Sequence, residues 1–218
     1  MSGRLRHQGI IFGLVWLVIF ILFSIPVGLG AFALIDFSAT TWLQNFFPRL
    51  LDIPLSFLSV LGTLEITTLI LATILWQSKS PLKSWIFIFL GFFCLAAVEA
   101  GMKNFLRHPQ PPPTFSRYDL PIVLPASHVE TPYAYPSGHM GRTVYLLTVA
   151  WFVLTARSKK REWNASLIFG AIWVIMAASR VYLGEHWLTD VIGGSFLGIS
   201  LAILAWETTK MPKPALDT

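Results

Sequence analysis

Six apolar runs constrain this chain more than any other feature: Ile10 to Ile35, Ile53 to Trp76, Trp85 to Met102, Met140 to Ala156, Ala165 to Tyr182 and Trp187 to Trp206. Each approaches or exceeds the roughly 20 residues needed to cross a hydrocarbon core. Backbone inside lipid must satisfy its own hydrogen bonds, and unbroken rather than alternating apolar runs of this length read as helices. The expected fold class is all-α: an integral membrane bundle of six transmembrane helices in one domain over residues 1–218, with an extracytoplasmic loop between helices 3 and 4. The composition, 55% hydrophobic and 12% charged, lies far from that of soluble domains. The first run is too long for a signal-peptide core, and no small-residue cleavage site follows a short apolar stretch, so it reads as a retained anchor kinked at Pro26.

Lys and Arg concentrate in cytoplasmic loops. Arg4 and Arg6 precede helix 1, Lys79 and Lys83 lie between helices 2 and 3, Arg157, Lys159, Lys160 and Arg161 between helices 4 and 5, and Lys210 and Lys213 after helix 6. With six spans these fall on one side, the expected cytoplasmic side, which holds both termini. The opposite side holds Arg49, Lys103, Arg107, Arg117, Arg142 and Arg180. Attraction of the cytoplasmic cations to anionic headgroups accounts for most of the net charge of +5. The bilayer and a membrane lipid are thus the expected partners, and nucleic acid is not, since a basic soluble binder would not carry six apolar spans.

The lone cysteine, Cys94, admits no intrachain disulfide and is expected as a small packing residue. Asn164-Ala165-Ser166 fits a glycosylation acceptor but falls on the expected cytoplasmic side. Residues Thr40 to Asp52 read as an interfacial segment, either a plain connection or one that steers lipid. Lys103 to Pro136, rich in proline, reads as irregular. Gly194 and Gly198 form a Gly-x-x-x-Gly pair expected to pack helices closely within the chain, with a dimer contact as the alternative. Glu65 is expected deep in helix 2 as an interhelical hydrogen-bonding group, and Glu185 as a solvated residue at the mouth of the bundle.

Three polar islands interrupt this apolar background: KNFLRHPQPPP from Lys103, PSGH from Pro136 and SRVYLGEHWLTD from Ser179. A charged side chain at the bilayer centre costs at least about 2.5 kcal/mol, which makes an intramembrane ionisable residue a functional candidate by default. The inferred topology brings all three islands to one membrane face. Ser137 is a good N-cap for the helix that follows, whose free N–H groups offer an anion site that Gly138 lets a ligand approach. An ordinary capped helix start would leave His139 without a reason. His186 and Asp190 are four apart, so on a helix the carboxylate can hold the imidazole through Nδ1 and leave Nε2 free to attack. A metal site on these histidines and Asp190 is the rival arrangement, since a His with an Asp one turn later is compatible with a hydrolytic metal.

The islands resemble the three signatures of the type 2 phosphatidic acid phosphatase superfamily: a Lys seven residues before Arg-Pro, then PSGH, then Ser-Arg, five residues, His, three residues and Asp. The second and third match in full. In the first, Lys103 and Pro111 are in place, but Gln110 stands where the family has Arg. The resemblance implies a membrane lipid phosphatase without cofactor or metal. His186 would become phosphorylated, while His139 would protonate the leaving group and then activate water. Lys103, Ser137, Gly138 and Arg180 would bind phosphate. Gln110 brings no charge, and the nearby cations Arg107, one turn beyond Lys103 if that helix continues, and Arg142, three residues beyond His139, are expected to make up the loss. Glu99, one turn before Lys103, is expected to pair with it.

An extracytoplasmic site at the membrane surface suits a lipid whose headgroup stays wet, with undecaprenyl diphosphate the first expectation and phosphatidylglycerophosphate or phosphatidic acid next. A lipid phosphotransferase, or a binder that has lost catalysis at Gln110, are the competing classes. Intact His139, His186 and Asp190 speak against the binder.

Overall fold

The structure is a computed structural model and describes residues 2–121, 131–157 and 162–209. Among these residues eight α-helices run in order: α1 Ser2–Gly28, α2 Ala33–Phe46, α3 Asp52–Val60, α4 Leu64–Gln77, α5 Leu82–Phe105, α6 Gly138–Arg157, α7 Glu162–Tyr182 and α8 Leu188–Thr209. No strand occurs among the described residues. The cations Lys159, Lys160, Arg161, Lys210 and Lys213, used above to orient the chain, lie outside the described residues, as does the tail from Lys210.

The first two apolar runs depart from expectation. The run read as one helix to Ile35 stops at Gly28, although α1 continues through Pro26. Gly30 takes φ +73°, its N–H donates to Val27 O at 2.9 Å, and the Ala31 N–H donates to Pro26 O at 3.0 Å. These two bonds form a Schellman cap, which ends a helix whatever the hydropathy beyond it. The segment 40–52 therefore begins inside a second helix, α2, rather than in a connection. The run 53–76 is also broken, into α3 and α4 bent by 56°, so Glu65 sits half-buried in the first turn of α4 instead of deep in a helix.

Among the described residues four helices are long and apolar enough to cross a membrane by themselves, α1 (from His7), α5, α7 (from Trp163) and α8, and the bent pair α3–α4 would make a fifth. Their outer faces carry exposed Phe12, Val18, Leu22, Leu90, Phe93, Leu167 and Ile175. Apolar exposure of this extent is unusual for a soluble monomer and suits contact with lipid. Cys94 also lies on that outer surface of α5, exposed rather than packed inside.

The core forms around α8. Leu197, Ala202 and Ala205 of α8 are buried with Phe92 and Leu95 of α5, Tyr145 and Val149 of α6, and Phe20 of α1. The Gly-x-x-x-Gly pair faces α6. A Cβ on Gly198 would meet Gly141 O at 2.4 Å, and one on Gly194 would meet Ser137 O at 2.4 Å. Backbone-to-backbone packing this close seats the first turns of α6 against α8. Ser200 Oγ donates to Gly13 O at 2.9 Å and ties α1 to the opposite side of α8.

Candidate active site

The ends of α5 and α7 and the starts of α6 and α8 gather at one end of the bundle, and every polar island contributes there. Backbone bonds hold the convergence. The Ser137 N–H donates to Asp190 O at 3.0 Å, the Tyr133 N–H to Lys103 O at 3.2 Å, and the Arg117 N–H to Leu183 O at 2.9 Å. From α2, Gln44 Nε2 donates to Phe115 O at 2.7 Å and Tyr182 O at 2.8 Å, fastening that helix over the loop.

The third island folds as it does because of Gly184. This residue has φ +67°, and its N–H donates to Val181 O at 3.1 Å while the Glu185 N–H donates to Arg180 O at 3.2 Å, a second Schellman cap. A Cβ at position 184 would also meet Phe115 O at 2.2 Å. The chain therefore turns back sharply, leaving Arg180 in the last turn of α7 and His186 just before α8. His186 and Asp190 were expected on one helical face. Only Asp190 is helical, because α8 starts at Leu188, yet His186 Nδ1 lies 3.3 Å from Asp190 Oδ2. Asp190 Oδ2 also accepts the Trp187 N–H at 2.9 Å, so the carboxylate folds back over the helix start as the acidic partner in a capping box does.

His186 is buried. Burial pushes its imidazole below the ordinary value, and Lys103 and Arg180 push the same way against the pull of Asp190. The ring is thereby kept neutral near pH 7, with Nε2 the nitrogen that the Asp190 contact leaves available.

His139 stands in the first turn of α6, half-buried, within electrostatic reach of Arg180, Arg142, His186 and Lys103. Ser137 precedes the helix as its cap, with Oγ 3.5 Å from the Met140 nitrogen, a long contact. Gly138 is the tightest point. A Cβ there would meet Glu99 Oε1 at 1.9 Å, so the group against this glycine is the Glu99 carboxylate.

Glu99 pairs with Lys103 as expected, Oε1 to Nζ at 2.8 Å, and also with Arg142, Oε2 to Nη1 at 2.6 Å. Arg142 is buried and its Nε donates to Gly62 O at 3.3 Å. Arg180 is 1% exposed. It bonds Ser59 Oγ through Nη1 and Glu185 Oε2 through Nη2, the latter at 3.2 Å. Its Nε is buried with no hydrogen-bond partner among the described residues. A buried guanidinium donor left unused is costly unless a ligand takes it.

Two expected accessory residues stand apart. α5 ends at Phe105, so the helical turn that would carry Arg107 inward is missing, and Arg107 is exposed. Gln110 is exposed and its amide donates to Thr131 O at 2.6 Å, bracing the loop.

Two residues at this bundle end escaped the sequence reading. His108 Nδ1 lies 2.8 Å from Asp190 Oδ1, and His108 Nε2 lies 3.5 Å from Asp36 Oδ2. Asp36 accepts from the Thr189 N–H at 2.9 Å and from Thr189 Oγ1 at 2.7 Å. The signal was present in Asp36, a solitary carboxylate at the margin of an apolar run, to which the cost of burying charge applies as it does to Asp190. His108 lies inside the first island, where no motif position falls on it.

Over 88 residues the chain is 39% identical to phosphatidylglycerophosphatase B of Bacillus subtilis, covering 38% of this chain and 42% of that protein. Over 75 residues it is 36% identical to an undecaprenyl-diphosphatase of Sulfolobus acidocaldarius, covering 34% and 33% respectively. The aligned stretches thus span less than half the length of either relative. The fold superposes on the crystal structure of a transmembrane PAP2-type phosphatidylglycerolphosphate phosphatase from Bacillus subtilis with a TM-score of 0.70 and 23% identity, over 89% of this chain and 94% of that one. Aquifex aeolicus LpxE superposes with a TM-score of 0.61 at 18% identity, over 79% and 94%. The family model of the PAP2 superfamily matches residues 84–213, a stretch that contains all three islands, and this chain belongs to that superfamily.

Proposed function

We propose that this protein is a membrane lipid phosphatase that works through a phosphohistidine at the extracytoplasmic face. In this reading residues 1–218 form one domain with six crossings, α6 being the sixth, and both termini are cytoplasmic. The observation that carries it is His186, 3.3 Å from the Asp190 carboxylate, standing in the field of Lys103 and Arg180, with Arg142 on the same Glu99 that holds Lys103 beside the start of α6. His186 Nε2 attacks phosphorus, an N–P bond forms and the P–O bond to the leaving group breaks. His139 donates a proton to the departing oxygen. It then takes a proton from water, which attacks the phosphohistidine, releasing phosphate and regenerating His186.

The charge spreading over the phosphoryl oxygens is met by Lys103, Arg180 with its unused Nε, Arg142, and N–H groups of the Gly138 turn. Glu99 holds Lys103 and Arg142 in place until the more highly charged phosphate competes for them. Bidentate arginine contacts suit a phosphoryl group.

Undecaprenyl diphosphate on the outer leaflet is the first choice of substrate, supported by the site's position at one bundle end and by the name of the Sulfolobus relative. Phosphatidylglycerophosphate is the second reading, favoured by the name of the Bacillus relative. Phosphate release by the purified full chain, measured over undecaprenyl diphosphate, phosphatidylglycerophosphate and phosphatidic acid, tests the proposal. His186→Ala is expected to abolish release from all three. Activity persisting in that variant would remove His186 as nucleophile, and substrate consumed without free phosphate would indicate a phosphotransferase.

A further inference from the structure

The mechanism above uses only one of the two histidines that touch Asp190. The other, His108, is buried in the loop after α5. One ring nitrogen faces Asp190 Oδ1 at 2.8 Å, the other faces Asp36 Oδ2 at 3.5 Å, and the Tyr135 ring meets it edge-on at 6.3 Å. Ionised carboxylates only accept, so both nitrogens need their hydrogens to serve these contacts, and the ring is an imidazolium held between an acid of α2 and an acid of α8.

Asp36 is not free to turn away, since both of its oxygens accept from Thr189 in the first turn of α8. Asp190 therefore receives His108 on Oδ1, and the Trp187 N–H and His186 on Oδ2. The donors on both oxygens leave its carboxylate one orientation.

We propose that His108 and Asp36 are positioning residues of this site, a cationic clamp that fixes the Asp190 carboxylate in the orientation from which it aligns His186. The inference rests on His186 being the nucleophile. The charge of the clamp follows its surroundings: burial works against the imidazolium, and the bonds to Asp190 and Asp36 outweigh it, lifting the pKa from 6.5 to about 9. The groups facing His108 are Asp36 of α2, Asp190 of α8 and the Tyr135 hydroxyphenyl ring from the segment before α6, with His186 beyond Asp190. The clamp is thus charged through neutral pH and is lost as pH rises through about 9.

The test uses the full chain in detergent, with phosphate release from undecaprenyl diphosphate and from phosphatidic acid as probes, for His108→Gln, His108→Arg, Asp36→Asn and His186→Ala. His108→Gln is expected to lower kcat by about 10- to 100-fold, the range that loss of an outer orienting partner costs at metal-bound histidines, with KM changed by less than about two-fold. The decline of kcat above about pH 9 should vanish in this variant. His108→Arg keeps a two-pronged cation and should recover at least about ten-fold of the lost kcat, holding it to higher pH. Asp36→Asn should fall between the two. The inference is overturned if His108→Gln keeps kcat and the alkaline decline, or if Gln and Arg at this position lose kcat equally. Should His108→Gln fail to fold, unchanged kcat and pH profile in Asp36→Asn overturn it equally. An active His186→Ala would instead sink the nucleophile assignment, whatever the His108 variants do.

Discussion

Arg142 is the proposed answer to the departure at Gln110. The guanidinium lies in the first turns of α6, buried, 2.6 Å from the Glu99 carboxylate that also holds Lys103, while Gln110 spends its amide on Thr131 O. Removing a preorganised charged donor of this kind costs about 100- to 1,000-fold in kcat, and Arg142→Ala should do so in the phosphate-release assay. Wild-type rates in that variant, alongside a dead Lys103→Ala, would mean that Arg142 does not replace the family arginine. His108 yields a second expectation, for stability. Its folded pKa of about 9 stands above the unfolded value, so its contribution is complete below about pH 6.5 and disappears as pH rises through 9. The melting temperature in detergent should fall by several degrees over that window, at about 2–4 °C per kcal/mol for a chain of this size. His108→Gln should flatten that stretch of the curve. His139, His186 and Asp190 were legible in the sequence because their spacing matched complete motifs. Asp36 was visible as a solitary carboxylate, but what it meets was not, because its partner Thr189 is 153 residues away.

At the scale of the element, glycine positions decide which apolar runs stay whole and which helices touch. Gly198 meets the backbone oxygen of Gly141, which cannot move without carrying α6 with it. Gly198→Ala is therefore expected to destabilise by about 1–3 kcal/mol, as overpacking does. Gly170 in α7 has nothing within 4 Å of an added Cβ, so Gly170→Ala should raise stability by about 0.4–1 kcal/mol. Thermal melts of the two variants in detergent check both signs, and a Gly198→Ala protein as stable as the parent would remove the close-packing account. Hydropathy anticipated α5, α6, α7 and α8, whose bounds lie within a few residues of the apolar runs, since crossing a hydrocarbon core would impose such lengths directly. It missed the breaks at Leu29–Gly30 and Leu61–Thr63 because caps and bends are set by backbone hydrogen bonds in residues that are themselves apolar.

For the whole molecule, the proposed topology places the gathered ends outside and the α4–α5 turn inside. Asn104 at the end of α5 and Gln77 at the end of α4 are both exposed and occupy opposite ends of the bundle. In intact cells Asn104→Cys should react with a membrane-impermeant maleimide, whereas Gln77→Cys should react only after permeabilisation. The native Cys94 is the background to subtract, and the reverse pattern would turn the site toward the cytoplasm. Charge counting could reach an orientation because positive loops follow the insertion machinery rather than the packing.

Composition and motif spacing by themselves determined that this chain is a helical bundle carrying two histidines, an aspartate and several cations at matched intervals. Both properties are local: apolar length sets a helix, and a motif is short enough to read along the chain. Only the tertiary structure decided which carboxylate each cation meets, that His186 stands off the helix that bears Asp190, and that α2 delivers Asp36 to the same point. Those outcomes depend on bonds between residues far apart in sequence, whose partners are chosen by how α5, α6, α7 and α8 pack around one another and by what the buried charges then need.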